Sequence, residues 1–504
     1  MGLRPNILLI TSDQQHFSTL GSVNPKIRTP ALDRLAREGT RFDRAYCNNP
    51  VCSPSRSTII TGLYPAWHHC WTIGVKLPED VPTVGGIFQR HGYATTLVGK
   101  GHFQPLASEP DQVSIESRPA LWDMEFWRRF HGPWYGFERI ELTRGHTDES
   151  DVGQHYPIWL EEQGLANWRD YFERRDEAGN RIRQTHSWTL PERFHYTTWT
   201  AERAIANMER HAGEGRPFFL WASFHDPHPS YLVSEPWASM YRPEEMEPGA
   251  LDPDELQYST PPHRKTQEAK PDFSEFKETP HMNFGYHSHR FDRQAFQKNM
   301  AVYYGMVSFM DSQIGRILDS LERLGLADNT LVVFTSDHGH FLGQHGLIAK
   351  GPFHYEDMIR VPMIARWPGR IPAGQASRSL QALVDYAPTF LDAADIAIPG
   401  MMQGASQLEA WQNPQVSARD HVIVENRHQP SAVHLRTYLD ERYKLTVYRG
   451  RPYGELYDLQ EDPGETHNRW DDPDYARIKS ELFRNFLDAE LRREPTRYKR
   501  IAFA

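Results

Sequence analysis

The stretch Asn6-Ile7-Leu8-Leu9-Ile10-Thr11-Ser12-Asp13-Gln14 decides the fold class. Its continuous apolar run ends abruptly in polar residues, which is typical of a strand buried on both faces of a parallel or mixed α/β sheet. A helix is predicted next in the chain, with Thr29 as its N-cap, Pro30 as its first residue and Gly39 at its end. A buried strand followed by a helix favours an α/β fold.

Three further stretches repeat this pattern of a buried strand with polar residues directly after it. They are Tyr93-Ala94-Thr95-Thr96-Leu97-Val98 before Gly99-Lys100-Gly101-His102, Pro217-Phe218-Phe219-Leu220-Trp221-Ala222-Ser223-Phe224 before His225-Asp226-Pro227-His228, and Thr330-Leu331-Val332-Val333-Phe334-Thr335-Ser336 before Asp337-His338-Gly339-His340. One such ending is more often a helix cap or a satisfied loop residue. Ligands bind at the carboxyl ends of strands in open α/β sheets, so four endings together predict a functional site there.

A cysteine begins another predicted helix, in the stretch Cys52-Ser53-Pro54-Ser55-Arg56, which ends at Gly62. Pro54 suits the first helical position, because its missing N–H has no partner there. Free N–H groups and the helix dipole favour an anion at this point, and the Arg56 guanidinium adds a fixed positive charge. A cysteine taken alone is more often an ordinary buried thiol, which is the interpretation for Cys47 and Cys70.

The composition is that of a large soluble globular protein. Because 504 residues exceed one simple core, we expect a catalytic domain at residues 1–395 and a smaller domain at residues 396–504. The net charge of -10 is spread over the chain, which argues against nucleic-acid binding. The apolar run at residues 7–10 is too short for a secretory signal or a membrane span. Three cysteines cannot form a disulfide framework, so a cytoplasmic location is expected.

Two irregular segments interrupt the predicted strands and helices. Residues 105–195 are dense in Trp, Tyr, Arg and Glu and are predicted to be an insertion over the sheet edge. Residues 240–295, rich in Pro, Glu and His, are predicted to be a long surface excursion. An amphipathic helix is predicted at residues 300–324. Beyond residue 395, closely spaced short strands predict a small antiparallel sheet, with a helix after it at residues 475–493.

Together these residues resemble the type I sulfatases, the formylglycine-dependent enzymes of the alkaline-phosphatase-like superfamily, close to the branch of arylsulfatases and phosphonate monoester hydrolases. The stretch Cys52-Ser53-Pro54-Ser55-Arg56 and the downstream Thr61-Gly62-Leu63-Tyr64-Pro65 carry the likeness. The strand endings, Lys350 and the segment Glu455-Leu456-Tyr457-Asp458-Leu459 follow in family order. The expected fold is α/β, with a large mixed, mostly parallel sheet flanked by helices and a smaller C-terminal domain built on an antiparallel sheet.

The resemblance implies that Cys52 is a precursor. A formylglycine-generating enzyme would oxidise it to 3-oxoalanine (formylglycine), whose aldehyde is hydrated to a geminal diol. One hydroxyl of the diol then attacks sulfur and displaces the alcohol, and the second hydroxyl allows sulfate to leave. An ordinary serine ester would lack this exit.

The resemblance also implies one divalent metal ion. Its expected ligands are Asp13, Gln14, Cys52, Asp337 and His338. Oxygen-rich ligation favours calcium. Many sulfatases have an aspartate at the position of Gln14 and an asparagine at that of His338. These departures make manganese, or another transition metal, the alternative to calcium.

The remaining matched positions imply catalytic roles. They are Arg56, Lys100, His102, His228 and Lys350. The guanidinium would hold the diol and neighbouring loops, and the two lysines would neutralise sulfate oxygens as charge develops. His102 is the expected base for breakdown of the intermediate, and His228, with Lys350, is the expected acid for the departing alcohol. A structural role for His225 is as consistent with the sequence as a catalytic one.

Three candidate functions are considered for these residues. The leading one is hydrolysis of aryl or small alkyl sulfates, with a small-molecule sulfate ester as partner. The alternative is a phosphonate monoester or phosphodiester hydrolase, since those relatives share the Asp-Gln and Asp-His pairs. Lys100 and His102 favour sulfate, because phosphonate-type relatives tend to carry neutral hydroxyl residues there. A non-catalytic anion- or metal-binding protein is disfavoured because every catalytic position is filled. The tail at residues 494–504 is compatible with a homo-oligomer.

Overall fold

The computed structural model describes residues 4–172, 184–279, 285–494 and 500–502. Within them a nine-stranded sheet forms the centre. Its strands are β1 (Asn6–Ser12), β2 (Thr40–Phe42), β3 (Ala94–Gly99), β4 (Arg139–Arg144), β5 (Gly153–Gln154), β6 (Phe218–Ser223), β7 (Thr330–Ser336), β8 (Met363–Arg366) and β9 (Gln375–Ser377). The order across the sheet is β9-β2-β8-β7-β1-β6-β3-β4-β5. Five of the neighbouring pairs are parallel and three are antiparallel, so the predicted mixed, mostly parallel sheet is confirmed.

Helices cover both faces of this sheet. The longer ones are α1 (Pro30–Glu38), α2 (Cys52–Thr61), α3 (Tyr196–Glu214), α4 (Arg293–Arg323) and α5 (Ala476–Arg492). Shorter helices are Pro65–His68, Val84–Arg90, Met124–Arg129, His155–Glu162, Pro261–Thr266, Glu356–Ile359, Tyr386–Ala393 and Leu408–Gln412. Along β1, Leu8 and Ile10 pack with α1, α3 and α4, whereas Ile7 and Leu9 share the other core with Ile59 of α2. The strand alternation therefore divides one buried strand between two apolar layers.

The ends of the predicted helices agree with the structure at α1 and differ at α4. Thr29 is the N-cap of α1 and Gly39 its C-cap, as predicted. The first free N–H groups of α1 donate to the carboxylate of Asp311 in α4. Helix α4 begins at Arg293, earlier than predicted, because the Asp292 side chain caps it by accepting from the Ala295 N–H. In its first seven residues Phe296 is the one large apolar side chain, so apolar periodicity did not reveal this part of the helix.

Both irregular segments are more integral to the fold than predicted. Residues 105–195 contain β4 and β5 of the main sheet as well as covering loops. Residues 240–295 are not only a surface excursion, because Phe273, Phe276 and Tyr286 are buried in an apolar cluster with Phe353. Residues 173–183 and 280–284 of these segments lie outside the described ranges.

The C-terminal part contains the predicted antiparallel sheet. Its strands are β10 (Val422–Gln429), β11 (Val433–Leu439), β12 (Tyr443–Tyr448) and β13 (Gly454–Asp458), paired in chain order. Ile423 of β10 and Leu482 of α5 belong to the same apolar cluster as Ile59 of α2. The domain boundary at residue 395 stays a prediction, and most of the tail at residues 494–504 lies outside the described ranges. None of the helices described has both the length and the apolar character needed to cross a membrane.

Candidate active site

The carboxyl ends of four parallel strands meet at one edge of the main sheet. Ser12 of β1 pairs with Ser336 of β7, and Ser223 of β6 pairs with Gly99 of β3. Because β1 also pairs with β6 in parallel, the residues that follow these strands are brought side by side. This register explains why side chains so distant in sequence surround one point.

Cys52 is the first residue of α2, and its side chain faces this edge. Val51 is the N-cap, so Pro54 is the third helical residue and the prediction that it is the first is wrong. A proline costs no hydrogen bond at either place, since the N–H groups of the first turn have no partner within a helix. The predicted end at Gly62 is confirmed, with φ of 65°. The Ser55 hydroxyl donates to the carbonyl of Asp337 over 2.5 Å, which ties the helix to the end of β7.

Four side chains at this point form a candidate metal site. The ligand atoms of Asp13, Cys52, Asp337 and His338 all lie within 4.8 Å of one another. The Gln14 Oε1 atom is buried and has no hydrogen-bond partner in the described part of the chain, as expected of an oxygen reserved for a ligand. The His338 Nδ1 atom lies 3.0 Å from the Gly339 carbonyl, which leaves Nε2 to face the cluster. Two carboxylates, an amide oxygen and an imidazole suit a divalent cation.

Arg56 connects the helix to three strand ends. Its side chain is fully buried, and it lies one turn after Cys52 on the same helix face. The Nε atom donates to Asp337 Oδ2 over 2.9 Å. The Nη1 atom donates to the Lys100 carbonyl over 3.0 Å and to Ser223 Oγ over 2.6 Å. Arg56 therefore fixes the position of Cys52 relative to the candidate metal ligands.

Two lysine ammonium groups border the Cys52 side chain. Lys350 Nζ lies 3.2 Å from Cys52 Sγ and 3.1 Å from His228 Nε2. Lys100 Nζ contacts Asp13 Oδ2. The side chains of both lysines are almost fully buried, so their charges act in a poorly solvated site.

The surrounding charges separate Cys52 from the other two cysteines. Burial and the Asp13 carboxylate raise the pKa of Cys52, but Lys100, Lys350 and His338 outweigh them and lower it to about 6. Burial raises the pKa of Cys70 to about 12, and it also raises that of Cys47. Cys47 and Cys70 are therefore ordinary protonated thiols, whereas the Cys52 position stabilises negative charge.

Neighbouring charges shift the pKa values of Asp13 and His338 so that both side chains favour their charged forms. Burial opposes ionisation of Asp13, yet the Lys100 ammonium group holds the pKa of this carboxyl well below its usual value. Burial lowers the pKa of His338, but Asp337 and Cys52 reverse the effect and raise it. Each shift follows from a neighbour of opposite charge in a dry site.

His102 and His225 follow β3 and β6 at the same edge of the sheet, and both are buried. The His102 backbone N–H donates to Glu116 Oε1 over 3.0 Å. Burial, together with Arg144 and Lys100, lowers the pKa of His102 well below its usual value, so its ring is neutral. His225 Nε2 lies 3.2 Å from the Thr143 carbonyl, which favours a structural role for that residue.

Comparison with known proteins decides the family. The family model described as Sulfatase matches residues 5–396, and the one described as N-sulphoglucosamine sulphohydrolase, C-terminal, matches residues 343–492. The chain belongs to the sulfatase family.

Individual relatives of this sulfatase extend over nearly the whole chain. This chain is 28% identical over 490 residues to the uncharacterized sulfatase YidJ of Escherichia coli, and the alignment covers 96% of this chain and 87% of that protein. It is also 27% identical over 495 residues to an arylsulfatase of Clostridium perfringens, with 97% of this chain and 95% of that protein aligned. The solved phosphonate monoester hydrolase of Agrobacterium radiobacter has a TM-score of 0.79 at 25% identity, covering 97% and 96%. The sulfatase is a sulfuric ester hydrolase, as predicted.

One residue of this sulfatase site was missed in the sequence. His146 follows β4, and its Nε2 atom lies 2.8 Å from Lys100 Nζ and 3.3 Å from Asp13 Oδ2. Its ring stacks on His228 with the centroids 3.7 Å apart. Its Nδ1 atom contacts Glu149, and the pKa of Glu149, which burial raises, is lowered by His146 to about 2. The sequence signal was a histidine after a strand, hidden because that strand lies within the supposed insertion.

Proposed function

We propose that this sulfatase hydrolyses sulfate esters of aryl or small alkyl alcohols, with formylglycine made from Cys52 as its nucleophile and a divalent metal ion beside it. The observation that carries the proposal is the position of Cys52 Sγ. It lies 3.2 Å from His338 Nε2, 3.2 Å from Lys350 Nζ and 3.5 Å from Asp13 Oδ1. A nucleophile at this point has a cation site and an ammonium group beside it, which suits attack on an anionic ester.

The metal ion would be held by Asp13, Gln14, Asp337 and His338. When bound, such an ion lowers the pKa of a coordinated hydroxyl group and so supplies a nucleophile at neutral pH. Oxygen ligands, among them the Gln14 amide oxygen, favour calcium, while the imidazole of His338 favours manganese. The Sγ atom of the unmodified Cys52 marks the place where the attacking oxygen of formylglycine hydrate would lie.

The lysines and histidines of the site would neutralise charge and transfer protons. Lys100 and Lys350 would neutralise the non-bridging sulfate oxygens, which gain charge in the transition state. The neutral His102 ring would accept a proton when sulfate is released. His228, with Lys350, would deliver a proton to the alcohol oxygen as the sulfur–oxygen bond breaks, and that oxygen would keep the bonding electron pair. Arg56 would hold these groups in register.

The second candidate function is hydrolysis of phosphonate monoesters or phosphodiesters. The similarity to the Agrobacterium radiobacter enzyme and the pairs Asp13-Gln14 and Asp337-His338 favour it. Lys100 and His102 favour sulfate, as does the arylsulfatase relative. The two candidates differ only in the anion that the same nucleophile attacks.

Turnover of matched substrates separates the two candidates. One preparation is assayed with 4-nitrophenyl sulfate and with the 4-nitrophenyl ester of phenylphosphonate, and kcat/KM is compared. We expect a large preference for the sulfate. A large preference for the phosphonate would overturn the leading proposal and support the second.

Mass analysis of the peptide that contains Cys52 tests the nucleophile. We expect the mass of formylglycine or its hydrate, a yield that rises on co-expression with a formylglycine-generating enzyme, and no activity in Cys52→Ala. Full activity in a protein whose Cys52 is entirely thiol would contradict the mechanism. A homo-oligomer and a cytoplasmic location stay predictions, which light scattering and cell fractionation would test.

A further inference from the structure

Two stacked histidines join the two lysines of the site. The rings of His146 and His228 lie 3.7 Å apart between centroids, at an angle of 17°. His146 Nε2 is 2.8 Å from Lys100 Nζ, and His228 Nε2 is 3.1 Å from Lys350 Nζ. Each lysine thus has one histidine partner, and the partners contact each other face to face.

The outer nitrogens of the stack are anchored on the protein. His146 Nδ1 lies 3.1 Å from Glu149 Oε2, and the same carboxylate oxygen accepts the His146 backbone N–H over 2.8 Å. His228 Nδ1 lies 2.5 Å from the Pro229 carbonyl. Both Nδ1 atoms therefore carry the ring proton, and both Nε2 atoms are left to accept from a lysine.

Besides its histidine, each lysine contacts a group at the centre of the site. Lys350 Nζ lies 3.2 Å from Cys52 Sγ, and Lys100 Nζ contacts Asp13 Oδ2. Ligand atoms of Asp13, His146 and His228 are also close enough together to hold a cation. The two ammonium groups already contact the ring nitrogens of these histidines, and their positive charge opposes a second metal ion.

We propose that His146 is a positioning residue for protonation of the leaving group. Anchored by Glu149, its ring packs flat on His228 and keeps the Nε2 atom of His228 aimed at Lys350, beside the nucleophile. When the ester sulfur–oxygen bond breaks, the alcohol oxygen keeps the electron pair and takes the proton that Lys350 Nζ shares with His228 Nε2. The inference rests on the proposed function, because it assigns His146 a part in that reaction.

Leaving groups of different basicity test the proposal. A phenolate with a nitro group needs little protonation, whereas the more basic phenolate of phenyl sulfate needs more. The quantity measured is the ratio of kcat/KM for phenyl sulfate to that for 4-nitrophenyl sulfate, since kcat/KM includes sulfur–oxygen cleavage. General acid catalysis contributes about 10²-fold or more, so His146→Ala should lower this ratio by up to about 10²-fold.

Two further variants distinguish positioning from loss of structure. Glu149→Gln keeps the side-chain volume but loosens the anchor, and it should lower the ratio by about 10-fold. His146→Phe keeps a flat ring over His228 and should stay nearer the wild-type ratio than His146→Ala. The matched control is His91→Ala, an exposed histidine before β3 and therefore at the opposite edge of the sheet, which should leave the ratio unchanged.

The outcomes separate this inference from the proposed function. An equal loss on both substrates in His146→Ala, or an unchanged ratio in Glu149→Gln and in whichever His146 variants fold, would overturn the positioning role. A ratio in His146→Phe as low as that in His146→Ala would also overturn it. Absence of sulfate turnover in the wild type would instead refute the proposed function. Aryl phosphonates with the same two leaving groups would then test the stack.

Discussion

Arg56 Nε donates to Asp337 Oδ2 over 2.9 Å, and both side chains are fully inaccessible to solvent. This pair connects the helix that carries the nucleophile precursor to the strand end that carries a candidate metal ligand. The guanidinium also binds the Lys100 carbonyl and Ser223 Oγ. One side chain thus sets the geometry of three elements that meet at the site.

Removal of Arg56 should destabilise the protein strongly. In Arg56→Ala the buried Asp337 carboxylate loses its partner, and breaking one side of a buried ion pair costs about 3–5 kcal/mol. Urea unfolding of the metal-depleted protein measures the loss. The control is Arg37→Ala, an exposed arginine in the last turn of α1, which should change stability by less than about 0.5 kcal/mol. Equal stabilities of Arg56→Ala and the control would contradict the assigned role.

Metal removal should lower the melting temperature of the wild type. An ion that binds only the folded state stabilises it by about 4 kcal/mol at a concentration 1,000 times its Kd. In Asp337→Ala the dependence on metal should vanish, because a central ligand is missing from the cluster. Thermal unfolding with calcium, with manganese and with a chelator provides the measurement. A wild-type melting temperature that is the same in all three conditions would disprove the metal site.

The Tyr231 hydroxyl should tune metal affinity from a distance. It lies 3.0 Å from His340 Nε2, and His340 Nδ1 lies 2.8 Å from Gln14 Nε2. This chain commits the amide nitrogen and leaves Gln14 Oε1 for the metal. Loss of such an outer partner costs about 10-fold or more in affinity, so Tyr231→Phe should weaken binding in a calorimetric metal titration. The control is Tyr156→Phe, which removes another buried tyrosine hydroxyl, one that donates to the Phe194 carbonyl. Equal affinities of the two variants would refute the effect.

The sequence predicts those parts of the site that follow apolar strands. Asp13, Lys100 and Asp337 each come directly after such a run, and local pattern is enough to place them at one sheet edge. His146 was missed because β4 buries Glu141 and Arg144, which are paired with Arg203 and Glu116 in the folded protein. With charged residues at both ends and at its centre, β4 lacks the continuous apolar run that marks the other strands of the site.

The buried aromatic residues of the segment at 240–295 were missed for a related reason. Phe273, Phe276 and Tyr286 are separated by polar residues without helical or strand periodicity. They pack on Phe353, which lies far along the chain. Long-range packing of this kind leaves no regular signal in the segment itself.

His345 forms a buried charge network apart from the catalytic cluster. Its Nδ1 atom lies 2.6 Å from Glu255 Oε1, and its Nε2 atom lies 3.7 Å from Asp357 Oδ2. The ring also stacks on Tyr355 at 3.6 Å. Burial lowers the pKa of His345, but Asp357 and Glu255 outweigh it and raise the pKa from 6.5 to about 9.

This raised pKa predicts a stability contribution that alkaline pH removes. The folded state holds the proton more tightly than the unfolded state, so the contribution is complete below pH 6.5 and is lost as the pH rises through about 9. A shift of this size corresponds to roughly 3 kcal/mol. The free energy of unfolding of the wild type should therefore exceed that of His345→Gln by most at acidic to neutral pH, and the difference should shrink by roughly that amount at alkaline pH. Urea unfolding of both proteins across this range tests it, with equal m values as the control for an unchanged unfolded state. A difference that stays constant with pH would show that the His345 proton does not stabilise the fold.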